Sequence, residues 1–176
     1  SYNTSLLRVA TAMLEGKGAT VAGFDFRANP LQIFDADTEK GQGFPESVLA
    51  LKRAVREADA VLIAGPEYNA GPTPLLKNAI DWVSRRRPDE GVSNEWDGKV
   101  VAVVSASPGQ FGGVRAQYSY RASLAHNFAI VLPDLVALPN ASEAFDAEGN
   151  LLNERARKAL DSVTTRLLEV SSRLRP

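Results

Sequence analysis

Residues 99–105, Lys-Val-Val-Ala-Val-Val-Ser, run almost unbroken in apolar side chains. Neighbouring side chains of a strand point to opposite faces, so a strand of this kind is buried on both sides. Val61-Leu62-Ile63-Ala64 repeats the pattern. Around these runs lie segments of helical spacing. Val48, Leu51, Val55 and Ala58 share a stripe between Pro45 and Ala58, and Leu76, Ala79, Ile80 and Val83 share one between Leu75 and Ser84. Strands apolar on both faces, alternating with helices, call for a parallel sheet covered by helices on each side.

The remaining elements follow from local signals. A helix capped by Asn3 or Thr4 carries Leu6, Leu7, Ala10 and Met13 and ends near Gly16 and Gly18. Ala19–Phe26 reads as a strand, and residues 29–43 as irregular. Val114–His126 is a helix, Ile130–Leu138 a strand broken by Pro133, and residues 144–150 a turn or short hairpin. The last helix, Asn153–Leu174, places Ala156, Leu160, Val163, Leu167 and Leu174 on one stripe. Residues 85–98 form a polar connection. The expectation is one domain over residues 1–176 with four strands and five helices. Because the chain opens on a helix, whereas a doubly wound sheet opens on a strand, a further strand upstream is expected.

Ligands of such sheets bind beyond the carboxyl ends of the strands. Three segments reach that rim. Ser1-Tyr2-Asn3-Thr4 offers hydroxyls, an amide and helix N–H groups suited to a phosphate, or else a plain helix cap. Pro66-Glu67-Tyr68-Asn69 sits on a turn stiffened by Gly65, Gly71, Pro72 and Pro74, suited to a flat heterocycle with polar edges, or else only a rigid turn. Residues 105–113 bring Gly109, Gly112 and Gly113 next to another helix start, either for close approach of a ligand or for a tight strand-to-helix turn.

Composition removes several alternatives. Twenty basic and 21 acidic residues leave a net charge of −1, which provides no excess for nucleic acid phosphates. The absence of cysteine and a single histidine exclude disulfides, thiolate chemistry and a histidine zinc cluster. No apolar run reaches the ~20 residues of a membrane span, so a cytoplasmic location is expected. His126 reads as structural, Lys77 and Asp81 as an i,i+4 pair, and Arg85-Arg86-Arg87 as a helix-end charge run that could also attract nucleotide phosphates. The helix around Trp82 is apolar on most sides, as helices at subunit contacts often are.

Residues 65–85, GPEYNAGPTPLLKNAIDWVSR, followed by 96–117, WDGKVVAVVSASPGQFGGVRAQ, resemble the NADPH-dependent FMN reductase family, which includes quinone, azo-dye and chromate reductases. SYNTSLLR resembles the end of that family's phosphate loop, and FDAEGNLLNERAR the entry to its last helix. The resemblance implies a flavodoxin-like, doubly wound α/β fold with a five-stranded parallel sheet in the order 2-1-3-4-5, its first strand missing from this chain. It implies FMN as cofactor and NADPH or NADH as co-substrate, with hydride passed to quinones, azo dyes or metal oxyanions as small electron acceptors. Ser1 and Asn3 would contact the FMN phosphate, with Thr4 nearby on the helix end as part of the same cofactor site. Pro66, Glu67, Tyr68 and Asn69 would border the ring, largely through backbone, with Tyr68 and Asn69 tuning it. Ser107, Pro108 and Gly109 would line its other polar edge, and Gly112 and Gly113 would give clearance. No dedicated acid or base is implied. The family's tyrosine or histidine is replaced by Ala70, which opens the face above the flavin. A homodimer or homotetramer is implied, with neither nucleic acid nor membrane as partner. The alternatives are a flavodoxin-type electron carrier and a flavin-free regulatory domain of the same fold.

Overall fold

The computed structural model describes residues 1–87 and 91–174. Residues 88–90, part of the expected polar connection, and residues 175–176 lie outside the described residues. The elements in chain order are α1 (Tyr2–Gly16), α2 (Ala36–Gln42), α3 (Glu46–Glu57), β1 (Ala60–Ala64), β2 (Glu67–Tyr68), β3 (Gly71–Pro72), α4 (Pro74–Ser84), β4 (Val100–Ala106), α5 (Val114–His126), β5 (Ile130–Val131), β6 (Val136–Leu138) and α6 (Glu154–Arg173).

The valine run is the central strand. All seven residues of β4 are buried. On one side β4 pairs in parallel with β1, from Ala60 opposite Val100 to Ala64 opposite Val104. On the other it pairs in parallel first with β5 and then with β6. Pro133 has no N–H to give to a ladder, which explains the interruption between those two short strands. Arg121 spans the gap by donating to the Leu132 and Asp134 carbonyls.

Alternation along β4 divides the core. Val100, Ala102, Val104 and Ala106 pack with Leu6 and Ala10 of α1 and with Leu160, Val163 and Leu167 of α6. Val101 and Val103 face Leu51 and Val55 of α3, Ile80 and Val83 of α4, and Tyr120 and Leu124 of α5. Burying a valine contributes about 1.5–3 kcal/mol, so β4 alone anchors a large share of both layers.

Several expectations need correction. Residues 19–25 run without ladder pairing, so the expected strand at Ala19–Phe26 is absent. Phe24 and Phe26 instead pack edge to face, 5.1 Å apart, against the second core layer. Of the expected order 2-1-3-4-5, the described residues form the stretch 3-4-5, as β1, β4 and β5/β6. The segment expected to be irregular contains α2, whose first turn is capped by Asp35 accepting from the Thr38 N–H at 2.7 Å. Helices therefore number six among the described residues. The cap of α1 is Ser1, two residues before Asn3 and three before Thr4. On α6 the stripe ends with buried Ser171, while Leu174 is exposed.

The outer face of α4 is covered by the chain itself. Trp82 is fully buried beneath Phe34 and Phe44. Asn78 Oδ1 accepts from the Phe34 N–H at 2.8 Å, and Asn78 Nδ2 and Trp82 Nε1 both donate to the Gln32 carbonyl. The apolar circumference of this helix thus reflects an intrachain cover and carries no argument for a subunit contact. The arginine run is tied into the same cover. Arg85 pairs with the buried Glu39 at 2.9 Å and stacks on Phe34, while Arg87 stacks on Phe44. Lys77 and Asp81 form the expected pair at 2.7 Å.

Candidate functional site

The three rim segments meet at the carboxyl end of β4. Ser1 Oγ accepts from the Thr4 N–H at 3.3 Å and lies 3.1 Å from the Thr4 hydroxyl. Helix geometry leaves the N–H groups of Tyr2 and Asn3 without acceptors inside α1, and the first turn holds no acidic residue. The positive end of the helix dipole is therefore open to an anion. Asn3 holds this end in place. Its Nδ2 donates to the Ala106 carbonyl at 2.8 Å and its Oδ1 accepts from the Ala106 N–H at 3.0 Å. Both polar ends of a buried side chain are spent on the last residue of β4, which fixes α1 against the sheet.

The Pro-Glu-Tyr-Asn motif folds as a two-residue hairpin, with Glu67 opposite Pro72 and Tyr68 opposite Gly71. The tip residues Asn69 and Ala70 have φ of 49° and 63°, the left-handed pair that a tight hairpin turn requires. Tyr68, Asn69 and Ala70 are exposed. Glu67 turns the other way, with a side chain 7% exposed. Its carboxylate accepts from the N–H groups of Arg115 at 3.0 Å and Ala116 at 3.3 Å and from Arg115 Nε at 2.9 Å. Burial alone would raise this carboxyl, but the hydrogen bonds from Arg115 and Ala116 outweigh it and hold the group below its ordinary value.

That contact occupies the start of α5. The start of α5 does not present free N–H groups to a ligand, because Glu67 already caps it. Gly113, the cap residue of α5, cannot supply a side chain itself. Its φ is 87°, and a Cβ there would lie 2.8 Å from Ser105 Oγ.

In the glycine loop, Ser107, Pro108 and Gly109 lie on the outer side, the latter two exposed. Gly112 and Gly113 are buried beneath. Gly112 has φ of 60°, and a Cβ would meet the Ala137 backbone at 2.7 Å, so the loop packs directly on β6 at this point. Ser107 Oγ accepts from the Gly109 N–H at 3.2 Å.

The rim thus has two layers. Ser1, Thr4, Tyr68, Asn69, Pro108 and Gly109 are exposed, with Ser107 and Pro66 half-buried among them. Underneath lie residues that sequence reasoning did not single out. Tyr120 donates to the Pro66 carbonyl at 2.8 Å and accepts from the Thr73 N–H at 2.7 Å. Gln117 donates to Ser105 Oγ at 2.8 Å and to the Val136 carbonyl at 2.7 Å, and Ser105 Oγ donates to the Gly112 carbonyl at 2.6 Å. Their signal was only a place on the inner face of α5. His126 stands exposed at the far end of that helix.

A cleft of about 730 Å³ lies at the opposite pole of β4, lined by Arg56, Arg86, Ser93, Glu95, Asp97 and Lys99. Its charges answer one another. Arg56 pairs with Glu95 at 2.7 Å, Arg86 with Asp97 at 3.7 Å, and Lys99 donates to the Ala58 carbonyl. Among the described residues, no cluster of His, Asp or Glu is suited to a metal ion. No described helix is long and apolar enough to cross a membrane.

A parallel sheet wrapped by helices, with an anion-ready helix end and two loops at one rim, defines a flavodoxin-like nucleotide-binding protein. The chain belongs to the NADPH-dependent FMN reductase family, whose model matches residues 1–143. It is 39% identical over 163 residues to an NAD(P)H-dependent FMN reductase of Pseudomonas aeruginosa, covering 91% of this chain and 82% of that protein. It is 34% identical over 179 residues to an NADPH:quinone oxidoreductase of Arabidopsis thaliana, covering 99% and 87%. Among solved structures, the flavoenzyme NAD(P)H:(acceptor) oxidoreductase FerB of Paracoccus denitrificans superposes with a TM-score of 0.79 at 29% identity, covering 98% of this chain and 91% of that one. An azoreductase of Bacillus anthracis shares the fold at 17% identity and a TM-score of 0.57, over 99% and 92% of the two chains.

Proposed function

We propose that this chain, as a single domain over residues 1–176, is an FMN-dependent NAD(P)H oxidoreductase acting on quinones or other small acceptors. The observation that carries the reading is the joining of three rim segments around the end of β4 by Asn3–Ala106 and Glu67–Arg115. Family membership and the FMN reductase and quinone oxidoreductase relatives support it.

The residues present fit the cofactor. The open N–H groups of Tyr2 and Asn3, with the Ser1 and Thr4 hydroxyls, would hold the phosphate against the positive end of α1. Pro66 to Asn69 on one side and Ser107 to Gly109 on the other would border the ring, with Asn69 and Tyr68 offering hydrogen bonds to its polar edge. Glu67 is committed to α5, so its share is made through the backbone. Bound FMN supplies the hydride acceptor and donor, and the protein supplies position and an open face. The exposed side chains that would border the ring, Tyr68, Asn69 and Pro108, are neutral, which suits an exchange of nicotinamide and acceptor over one face without an acid or base. Ala70 at the hairpin tip leaves that face uncrowded.

A homodimer or homotetramer in the cytoplasm completes the proposal. Exposed Tyr68, Phe111 and Tyr118 around the hairpin and α5 support a second copy, and light scattering tests it. The decisive experiment is anaerobic titration of the FMN-loaded protein with NADPH and with NADH. Bleaching of the flavin band by either is expected; bleaching by neither sinks the assignment. Steady NADPH oxidation with a quinone separates the enzyme from a flavodoxin-type carrier, which would show almost none.

A further inference from the structure

Two buried polar side chains sit one turn apart on the inner face of α5, and each reaches a different rim loop. Gln117 is fully buried and fixes the glycine loop from below, through Ser105 Oγ to the Gly112 carbonyl. Its second N–H goes to the Val136 carbonyl, and its Oε1 has no partner among the described residues. Tyr120 is also fully buried and closes the base of the hairpin, joining the Pro66 carbonyl to the Thr73 N–H. An apolar side chain of similar volume would fill either place without an unpaired Oε1 or a hydroxyl to satisfy. The polar groups are therefore costly choices in the interior and call for a role beyond packing.

We propose that Gln117 and Tyr120 are positioning residues that hold the glycine loop and the hairpin at a fixed separation set by one helical turn. The spacing across the rim is then a property of α5, a rigid rod with a rise of about 1.5 Å per residue, and not of either loop. Neither side chain reaches the exposed rim; each acts through the backbone of the loop it holds. The functional half rests on the reading of the rim as an FMN site, while the bracing itself is testable without any flavin.

The test compares the wild type with Gln117→Met and Tyr120→Phe, which keep volume and remove polar reach. In the flavin-free proteins, Gln117→Met is expected to speed amide exchange at least tenfold at Gly112 and Val114 while leaving Thr73 unchanged. Tyr120→Phe is expected to do the reverse. Each variant is expected to weaken FMN binding at least tenfold and to slow hydride transfer from NADPH while the KM for NADPH stays within twofold. Loosening of both loops equally by either variant, or unchanged FMN affinity with exchange altered as described, overturns the positioning role. Should the wild type itself fail to bind FMN, the proposed function falls, and the crossed exchange pattern alone decides the bracing. Gln117→Leu and Tyr120→Leu, which bury no charge and add no volume at the Tyr120 site, serve if the first pair does not fold, with the same crossed pattern expected and a uniform one refuting.

Discussion

Lys52 poses a contest between two large effects. It is 1% exposed in α3, and its Nζ donates to the carbonyls of Val83 at 2.7 Å, Arg85 at 3.0 Å and Ser93 at 2.8 Å. Burial pushes its pKa from 10.5 down to about 8, with Glu95 and Glu39 opposing and Arg56 and Arg85 adding. At about 1.4 kcal/mol per tenfold, holding the ammonium at neutral pH costs about 3 kcal/mol relative to the unfolded chain. Replacing it by methionine removes that cost but takes a charged donor away from three carbonyls, at about 1 kcal/mol each. Near pH 7 the two nearly cancel, so Lys52→Met is expected to unfold in urea within about 1 kcal/mol of wild type. The difference then grows with pH. Between the folded value near 8 and the unfolded value of 10.5, the unfolded chain binds more protons, so wild-type stability rises with pH. The wild type is expected to gain about 2 kcal/mol over Lys52→Met between about pH 7 and about pH 9.5. Fluorescence of buried Trp82 and Trp96 reports the transition. Lys99, also lowered by burial, titrates alike in both proteins and drops out of the comparison. Parallel stability curves would refute the reasoning: the three carbonyls would then hold the proton against burial, and the variant would be weaker by several kcal/mol at every pH.

Three further outcomes are expected. Gly65→Ala would place a Cβ 2.6 Å from the ring of Tyr120, whose hydroxyl is pinned at both ends, and should cost about 1–3 kcal/mol in chemical unfolding. Ala70→Gly relieves a left-handed alanine and should raise stability by about 0.5–1 kcal/mol without moving the fold, as measured by calorimetry and circular dichroism. Glu67→Ala removes the cap of α5 and should cost about 1–2 kcal/mol at neutral pH. Because the folded carboxyl is held below 4.5, that contribution is complete above the unfolded value and is lost as pH falls through the folded one, so variant and wild type should converge in acid.

Much of the layer arrangement could be read from pattern alone. Val114–His126 coincides with α5, and Thr73 and Asn153 cap α4 and α6 where chemistry expects a cap. Ala19–Phe26 failed because an apolar run reveals a willingness to pair and says nothing about a partner. α2 was missed for a different reason. Its seven residues, ADTEKGQ, include no large apolar side chain, although Asp35 before it and Gly43 after it are ordinary start and stop signals. The exposed half of the rim was legible in Pro66–Asn69 and Ser107–Gly109. The supporting half was not, since Glu67–Arg115 and Tyr120–Pro66 span 48 and 54 positions of chain, and no local spacing encodes such distances. The cover over Trp82 was not legible, because a helix covered by its own chain has the same periodicity as one covered by another subunit.

Asn3 has a consequence for how such a protein drifts in evolution. Its amide reads the main chain of Ala106 and ignores the side chain, so position 106 can vary among small residues without disturbing the link. Position 3 has no such freedom: aspartate would set a negative charge against a carbonyl, and leucine would offer neither donor nor acceptor. Across diverging descendants, the asparagine should persist while its alanine neighbour wanders.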